Sequence, residues 1–399
     1  MTNRIAQSRT IWLNAPMSSI RWQEIAQRFS IPEGVAYLNN GSFGPVPTEA
    51  IETTVELFRT LESNPQEYLG VYRGRTAVVK DALGGFVGMK PDDFVFVTNV
   101  TVGMNMVAAG LRTLSSGDQI VTTDQEYGAV ENAWRFASRR RGVEIVRVEL
   151  PAPADTPRQL YDAVVDAFTA RTKVVYMSHI TSQTGVILPV KAICEEARRR
   201  GILTAIDGAH APGMIPLDIE SLGCDFYVGN CHKWLCAPKG VGFMWASAEA
   251  QALLDPLIVG WGWVEDDETF LGNFENPGTH NPTLYLAVEK CIELQNTIGR
   301  EAVAARGREL AAYARERILA IPGAKPRTPP TADLSNSIQA YTLPLVADFD
   351  FQAALRERRI VAILGPDKEH VRLRVSTHIH NSTEHLDRLV DLLREAYGR

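Results

Sequence analysis

Leu203-Thr204-Ala205-Ile206-Asp207-Gly208-Ala209-His210 and, shortly after it, Phe226-Tyr227-Val228-Gly229-Asn230-Cys231-His232-Lys233-Trp234 decide the fold. Each opens as a short apolar run without polar alternation, the pattern of a strand buried on both faces of a sheet. Each then releases reactive groups at its carboxyl end: an acid in the first, an amine flanked by His232 and Trp234 in the second. Ligands of open α/β sheets bind outside the carboxyl ends of the strands. A carboxylate at such an edge has few structural uses. A lysine held there among His232, Trp234 and the small Gly229 and Gly240 is partly desolvated, which lowers its pKa and leaves it nucleophilic.

Outward from this pair the same alternation recurs. The sequence predicts strands over 94–97, 119–122, 143–148, 173–177, 203–206, 226–228 and 241–245, separated by helices that start at Thr101, end at Arg139-Arg140-Arg141, or span 160–168 and 190–200. This is an α/β architecture with a mostly parallel, seven-stranded-type sheet flanked by helices. After the Gly-, Asn- and Pro-rich loop 272–282, one long helix is predicted over 284–321. Past Pro326-Arg327-Thr328-Pro329-Pro330 come a strand (337–343), a helix (351–359), strands at 360–364 and 371–375, and a last helix capped by Ser382. The expected division is an N-terminal segment 1–36 packing with the small domain, a large domain 37–282, and a linker helix with a small C-terminal α+β domain, 283–399.

With 41 Lys+Arg against 47 Asp+Glu the chain carries a formal charge of -6. Its arginine triplets, at 139–141 and 198–200, sit at helix C-termini as dipole partners rather than forming a nucleic-acid footprint. No run of about 18 apolar residues suggests a membrane span, and the first 22 residues lack an uninterrupted apolar stretch of the signal-peptide kind. A cytoplasmic protein is expected. The 5 cysteines form no C-x-x-C pair, which argues against a disulfide framework or a common zinc site. No metal is expected.

An acid at one strand end and an activated lysine after another meet the needs of pyridoxal 5'-phosphate, in which a lysine forms the aldimine and an acid keeps the pyridine nitrogen protonated. Further groups fall at the same edge. Thr98-Asn99-Val100-Thr101 is a strand-to-helix junction whose free N–H groups and dipole suit a phosphate, or equally an ordinary N-cap. Tyr127 follows the strand at 119–122, Ser182 follows that at 173–177, and Arg374 lies in the strand at 371–375. A substrate carboxylate needs a planar bidentate donor, a role for which Arg372 competes with Arg374.

From Tyr37-Leu38-Asn39-Asn40-Gly41-Ser42-Phe43-Gly44-Pro45 to Arg374-Val375-Ser376 the chain resembles fold-type I pyridoxal-phosphate enzymes (the PLP-transferase fold) of the class V aminotransferase family, within it the isopenicillin N epimerase-like proteins. The resemblance implies an aldimine on Lys233 and a quinonoid carbanion at the substrate α-carbon, with Asp207 on the pyridine nitrogen. It places Val100 and Thr101 at the phosphate, aided by Asn230 and His232. It stacks Tyr127 on the ring and sets Ser182 and His210 near the cofactor's O3′. It gives the substrate carboxylate to Arg374 and the Asn40 turn. Thr279 matches a residue that reaches the neighbouring subunit's phosphate, implying a homodimer with active sites at its interface. The implied substrate is an amino acid or amino-acid-derived small molecule, and the first expectation is an epimerase or racemase.

A lyase or cyclase, or an aminotransferase, is the alternative, and a non-enzymatic cofactor-binding scaffold a further one. Cysteine desulfurase is disfavoured because no cysteine follows Cys291. A Rossmann dehydrogenase fails on Gly240-Val241-Gly242, which lacks the third glycine and the strand–helix context.

Overall fold

The computed structural model describes residues 20–264 and 269–398. Its centre is a seven-stranded sheet in the order Phe94–Val97, Gly242–Ala246, Phe226–Asn230, Leu203–Gly208, Thr172–Ser178, Gln119–Thr123, Glu144–Val148. Gly242–Ala246 runs antiparallel to both neighbours, and the other pairings are parallel. The sheet is therefore mostly parallel, as its unalternating apolar runs require.

Side chains still alternate face by face. Ile206 and Tyr227 join one buried cluster with Leu83, Met177 and Trp234. Ala205, Phe226 and Val228 join a second with Met104, Trp134 and Tyr176. Helices cover both faces. One of them, Gly128–Arg141, ends on Gly142 at φ +70, with three arginines in its last turn against the negative end of the dipole.

The small sheet is antiparallel, in the order Ile363–Pro366, Val371–Ser376, Ile338–Leu343, Lys325–Pro326. Leu373, Tyr341 and Leu364 face a cluster built with helices Arg300–Leu319 and Thr383–Ala396. Arg372 and Arg374, alternating with Leu373, point off the opposite face.

Two expectations are corrected. The single helix predicted over 284–321 is three helices, Thr283–Leu286, Val288–Ile298 and Arg300–Leu319. The last break falls at Gly299, whose φ of +94 lies where helices cannot continue. The strand at 360–364 is likewise two. Ile360–Val361 pairs in parallel with Ala36–Tyr37, while Ile363–Pro366 enters the small sheet.

That parallel pairing carries the chain past the small sheet, where Asn40 N–H donates to the Ser376 carbonyl at 3.1 Å. Residues Ile20, Trp22, Ile25 and Phe29 cluster with Leu294, Ile298, Val303 and Ile379. The first nineteen residues of the expected N-terminal segment lie outside the described residues. No helix among the described residues is long and apolar enough to cross a membrane.

Candidate active site

The loop carrying Lys233 leaves the sheet directly after Asn230 and is pinned from several sides. Gly44 N–H donates to the His232 carbonyl at 2.9 Å, and Asn40 Nδ2 to the Lys233 carbonyl at 3.2 Å. The Trp234 carbonyl accepts from Gln295 Nε2 at 2.7 Å and from His378 Nε2 at 2.8 Å. A Cβ on Gly44 would stand 2.0 Å from the Lys233 carbonyl oxygen, so only glycine lets this turn touch the loop. Cys236 closes the loop at φ +59, a conformation that costs a non-glycine residue roughly 1–2 kcal/mol and that these contacts sustain.

Lys233 Nζ lies 3.1 Å from His210 Nε2, and Trp234 Nε1 donates to His210 Nδ1, also at 3.1 Å. An indole N–H can only donate, so Nδ1 must be the unprotonated nitrogen and Nε2 carries the hydrogen. Nε2–H then donates to Nζ, which accepts only as a free amine. Burial favours the same state twice over. It holds His210 well below the usual histidine range and brings Lys233 down to about 8, Asp207 working against that shift and Arg374 with it. The amine also stands over the Tyr127 ring at 5.9 Å, and that ring is 48% exposed, leaving a face open for stacking.

Asp207 is buried at the end of its strand, with Oδ1 accepting from Ala209 N–H at 2.9 Å. Burial raises its pKa, while the Ala209 amide and the Lys233 charge oppose the rise. Close by is a second buried acid that sequence reasoning passed over. Glu126 accepts from Thr123 Oγ1 at 2.6 Å and Ser178 Oγ at 2.8 Å, and burial lifts it to about 8 against those bonds, helped by the Asp207 charge. Its only signal is its place in Asp124-Gln125-Glu126-Tyr127, directly after the strand at 119–122, where Tyr127 alone was singled out.

Glu126 gives a stability prediction for the cofactor-free protein. The folded chain keeps this proton up to about pH 8, whereas the unfolded chain releases it near pH 4.5. The contribution is therefore full below pH 4.5 and declines as pH rises toward 8. Glu126→Gln should flatten that decline, as read from urea midpoints at pH 5 and pH 8. An unchanged slope would contradict the assignment.

Arg372 and Arg374 differ sharply in their surroundings. Arg372 is exposed and ion-paired with Asp367 at 3.2 Å. Arg374 is buried, and its partners are neutral: Nη1 donates to the Ser182 carbonyl at 2.7 Å, and Nη2 to Asn39 Oδ1 at 3.0 Å and Ser42 Oγ at 2.9 Å. No carboxylate among the described residues pairs with it, and burial lowers its pKa to about 10. Ser182 thus serves as a brace for the guanidinium. Asn39 and Ser42, part of the turn read from sequence, do the same.

At the helix Val100–Gly110, Asn99 caps by accepting from Val102 N–H at 3.0 Å. The Val100 N–H donates to Asn230 Oδ1 at 3.0 Å, so Asn230 braces the junction through the amide expected at a phosphate. Thr101 stands half-buried in the first turn, where N–H groups point outward from the helix end. Gly242 passes behind it, and a Cβ there would lie 3.2 Å from Asn99 Cα. His232 is buried, its Nδ1 3.1 Å from the Val241 carbonyl, and burial holds it down at about 4. Thr279 sits on an exposed loop and shares in none of these contacts.

Lys233, His210, Asp207, Tyr127, Asn40 and Arg374 thus gather at one edge, with the Val100 helix end braced by Asn230. Two buried polar atoms there, Asn40 Oδ1 and Arg374 Nε, have no partner. A buried polar group left unpaired costs about 1–3 kcal/mol, so both suit a polar ligand. The set of a free amine, a buried carboxylate, an open aromatic face and a helix N-terminus fits pyridoxal phosphate, whose aldehyde, pyridine nitrogen, ring and phosphate each meet a matching group.

A fold of this kind, with such a set at its strand ends, is that of pyridoxal-phosphate enzymes of fold type I. The family model Aminotransferase class-V matches residues 36–389, and the chain belongs to that family, whose cofactor is pyridoxal 5'-phosphate. It is 34% identical over 396 residues to the isopenicillin N epimerase of Amycolatopsis lactamdurans, covering 95% of this chain and 99% of the relative. The isopenicillin N epimerase of Streptomyces clavuligerus is 35% identical over 400 residues, covering 96% and 100%. A probable cysteine desulfurase of Methanothermobacter thermautotrophicus is 26% identical over 407 residues, covering 96% and 100%. Among solved structures, a cystine C–S lyase in complex with cysteine persulfide superposes with a TM-score of 0.81 at 22% identity, covering 91% of this chain and 98% of the other. The cysteine desulfurase CsdA of Escherichia coli gives 0.82 at 19%, covering 94% and 98%.

Proposed function

We propose that this pyridoxal-phosphate enzyme moves a proton at the α-carbon of an amino acid or amino-acid-derived substrate and inverts that centre, as an epimerase. The observation that carries the reading is the Trp234–His210–Lys233 chain, which favours the free-base form of the amine, beside an arginine without an acidic partner among the described residues. When bound, the cofactor supplies an electron-poor ring that acidifies the α-C–H of an amine attached to it. Asp207 holds the proton on the pyridine nitrogen. Tyr127 offers its open face to the ring and Thr101 its hydroxyl to the phosphate, with Val100 and Asn230 shaping the cradle, His232 buttressing the loop behind Lys233, and Thr279 serving the partner subunit's site. Arg374, held by Ser182, Asn39 and Ser42, binds the α-carboxylate together with Asn40. Lys233 takes the α-proton as general base on its face of the substrate, a solvent proton returns to the opposite face to complete the inversion, and the His210 Nε2–H donor sits beside Lys233 to serve the oxygen of the ring.

Epimerisation is favoured by epimerases among the relatives, at 34% and 35% identity. Elimination in the manner of a C–S lyase is the second reading, favoured by the fold neighbours. A desulfurase that parks sulfur on its own thiol is a poorer fit, because all 5 cysteines are buried. Turnover in deuterated water tests the reading: deuterium at the α-carbon of both enantiomers is expected, whereas a lost side-chain fragment or a keto acid would replace it with a lyase or a transaminase.

The homodimer is part of the proposal. Leu257, Ile258, Val259, Trp261 and Val264 form one exposed apolar stretch, with Trp261 97% exposed, next to the loop that bears Thr279. Sedimentation should give the mass of two chains, and Trp261→Glu should shift it toward one.

A further inference from the structure

Beside Arg374, on the face of the small sheet that lacks the apolar cluster, lies a cavity of about 180 Å³. Three guanidinium-bearing residues line it, Arg327, Arg372 and Arg374, together with Gln183, Thr184 and Ile363. Register explains the grouping. Arg374 pairs with Ala340 on one side and Ile363 on the other, and Arg327 N–H donates to the Ala340 carbonyl at 2.8 Å, so all three reach the same patch. The opposite wall is fixed to it: Thr328 Oγ1 donates to the Thr184 carbonyl and accepts from Ala340 N–H at 2.8 Å.

The charge around this space does not balance. Arg372 has Asp367 as its ion-pair partner, but among the described residues neither Arg327 nor Arg374 has a carboxylate within salt-bridge distance. Arg327 is half-buried, and its side chain has no hydrogen-bond partner among the described residues. Guanidinium groups are the usual partners of carboxylates in partly buried sites, because their planar fork matches the anion and they are weakly hydrated.

We propose that this cavity receives the side chain of the substrate and that Arg327 binds an anionic group at its far end. The favoured substrate is then an α-amino acid whose side chain ends in a carboxylate, the α-carboxylate on Arg374 and the distal one on Arg327. The proposal rests on the assignment of Arg374 above, deepening it from amino acids in general to acidic ones.

Two measurements separate its failure from that of the function. In the first, aspartate, glutamate and 2-aminoadipate are titrated into the loaded enzyme, each against its side-chain amide, with the cofactor's visible spectrum as readout. At least one acid is expected to bind about 10-fold more tightly than its amide, and Arg327→Gln to bring the two within about 2-fold of each other. In the second, calorimetry compares glutarate with its monoamide, probes that carry no amine and need no cofactor chemistry. The same preference for the dianion and the same loss in Arg327→Gln are expected. Equal binding of glutarate and its monoamide, or a preference that survives Arg327→Gln, would overturn the acidic-substrate proposal. A glutarate preference with no spectral response to any amino acid would leave the anion site standing and sink the proposed function instead.

Discussion

Lys233→Ala is expected to lower turnover by roughly 10²–10⁴-fold or more, the range that removal of a positioned general base commonly produces. The variant should fold, since Lys233 supplies its carbonyl to Asn40 and that bond is retained. Borohydride treatment should fix the cofactor covalently to the wild-type chain at residue 233 and fail to do so in the variant. The cofactor-free protein offers an independent check. With its amine near pKa 8 and free amines in solution near 10.4, an acylating reagent at pH 8 should label residue 233 ahead of the other lysines. Labelling spread evenly over all of them would remove the argument for a free base.

Arg374→Leu carries the second large effect. Truncating one member of a buried, hydrogen-bonded charge pair costs about 2–5 kcal/mol, which converts to between roughly 30-fold and 5,000-fold in kcat/KM. The loss should fall mostly on KM for amino acids. It should be far smaller for the corresponding amino amides, which bring no α-carboxylate to the guanidinium. Equal losses for acids and amides would mean that Arg374 is a structural brace.

The mostly parallel sheet and the edge bearing its chemistry were legible because its central strands are mostly apolar runs that end in polar groups, as Ile206 gives way to Asp207 and Val228-Gly229 to Asn230. Periodicity of this kind records burial directly. The break at Gly299 was not legible, since an isolated glycine is tolerated within helices and only the observed φ distinguishes a stop from a passage. Glu126 was hidden for another reason. Its proton is held by burial and the Asp207 charge against the bonds from Thr123 and Ser178, and these three residues arrive on three separate strands. Likewise nothing local in Trp234 announces that its indole sets the tautomer of His210, because the two residues meet only after Gln295 and His378 fix the loop. Sequence names the reagents at a site more readily than the protonation states that neighbours impose on them.

The peptide from Ala36 to Gly44 is joined to the strand Ile360–Val361, to the small sheet at Ser376, to the guanidinium through Asn39 and Ser42, and to the amine-bearing loop through Asn40 and Gly44. Anion capture and amine placement are therefore mechanically tethered. One short ribbon thus braces both groups, so a substitution that loosens it is expected to disturb the guanidinium and the lysine loop together.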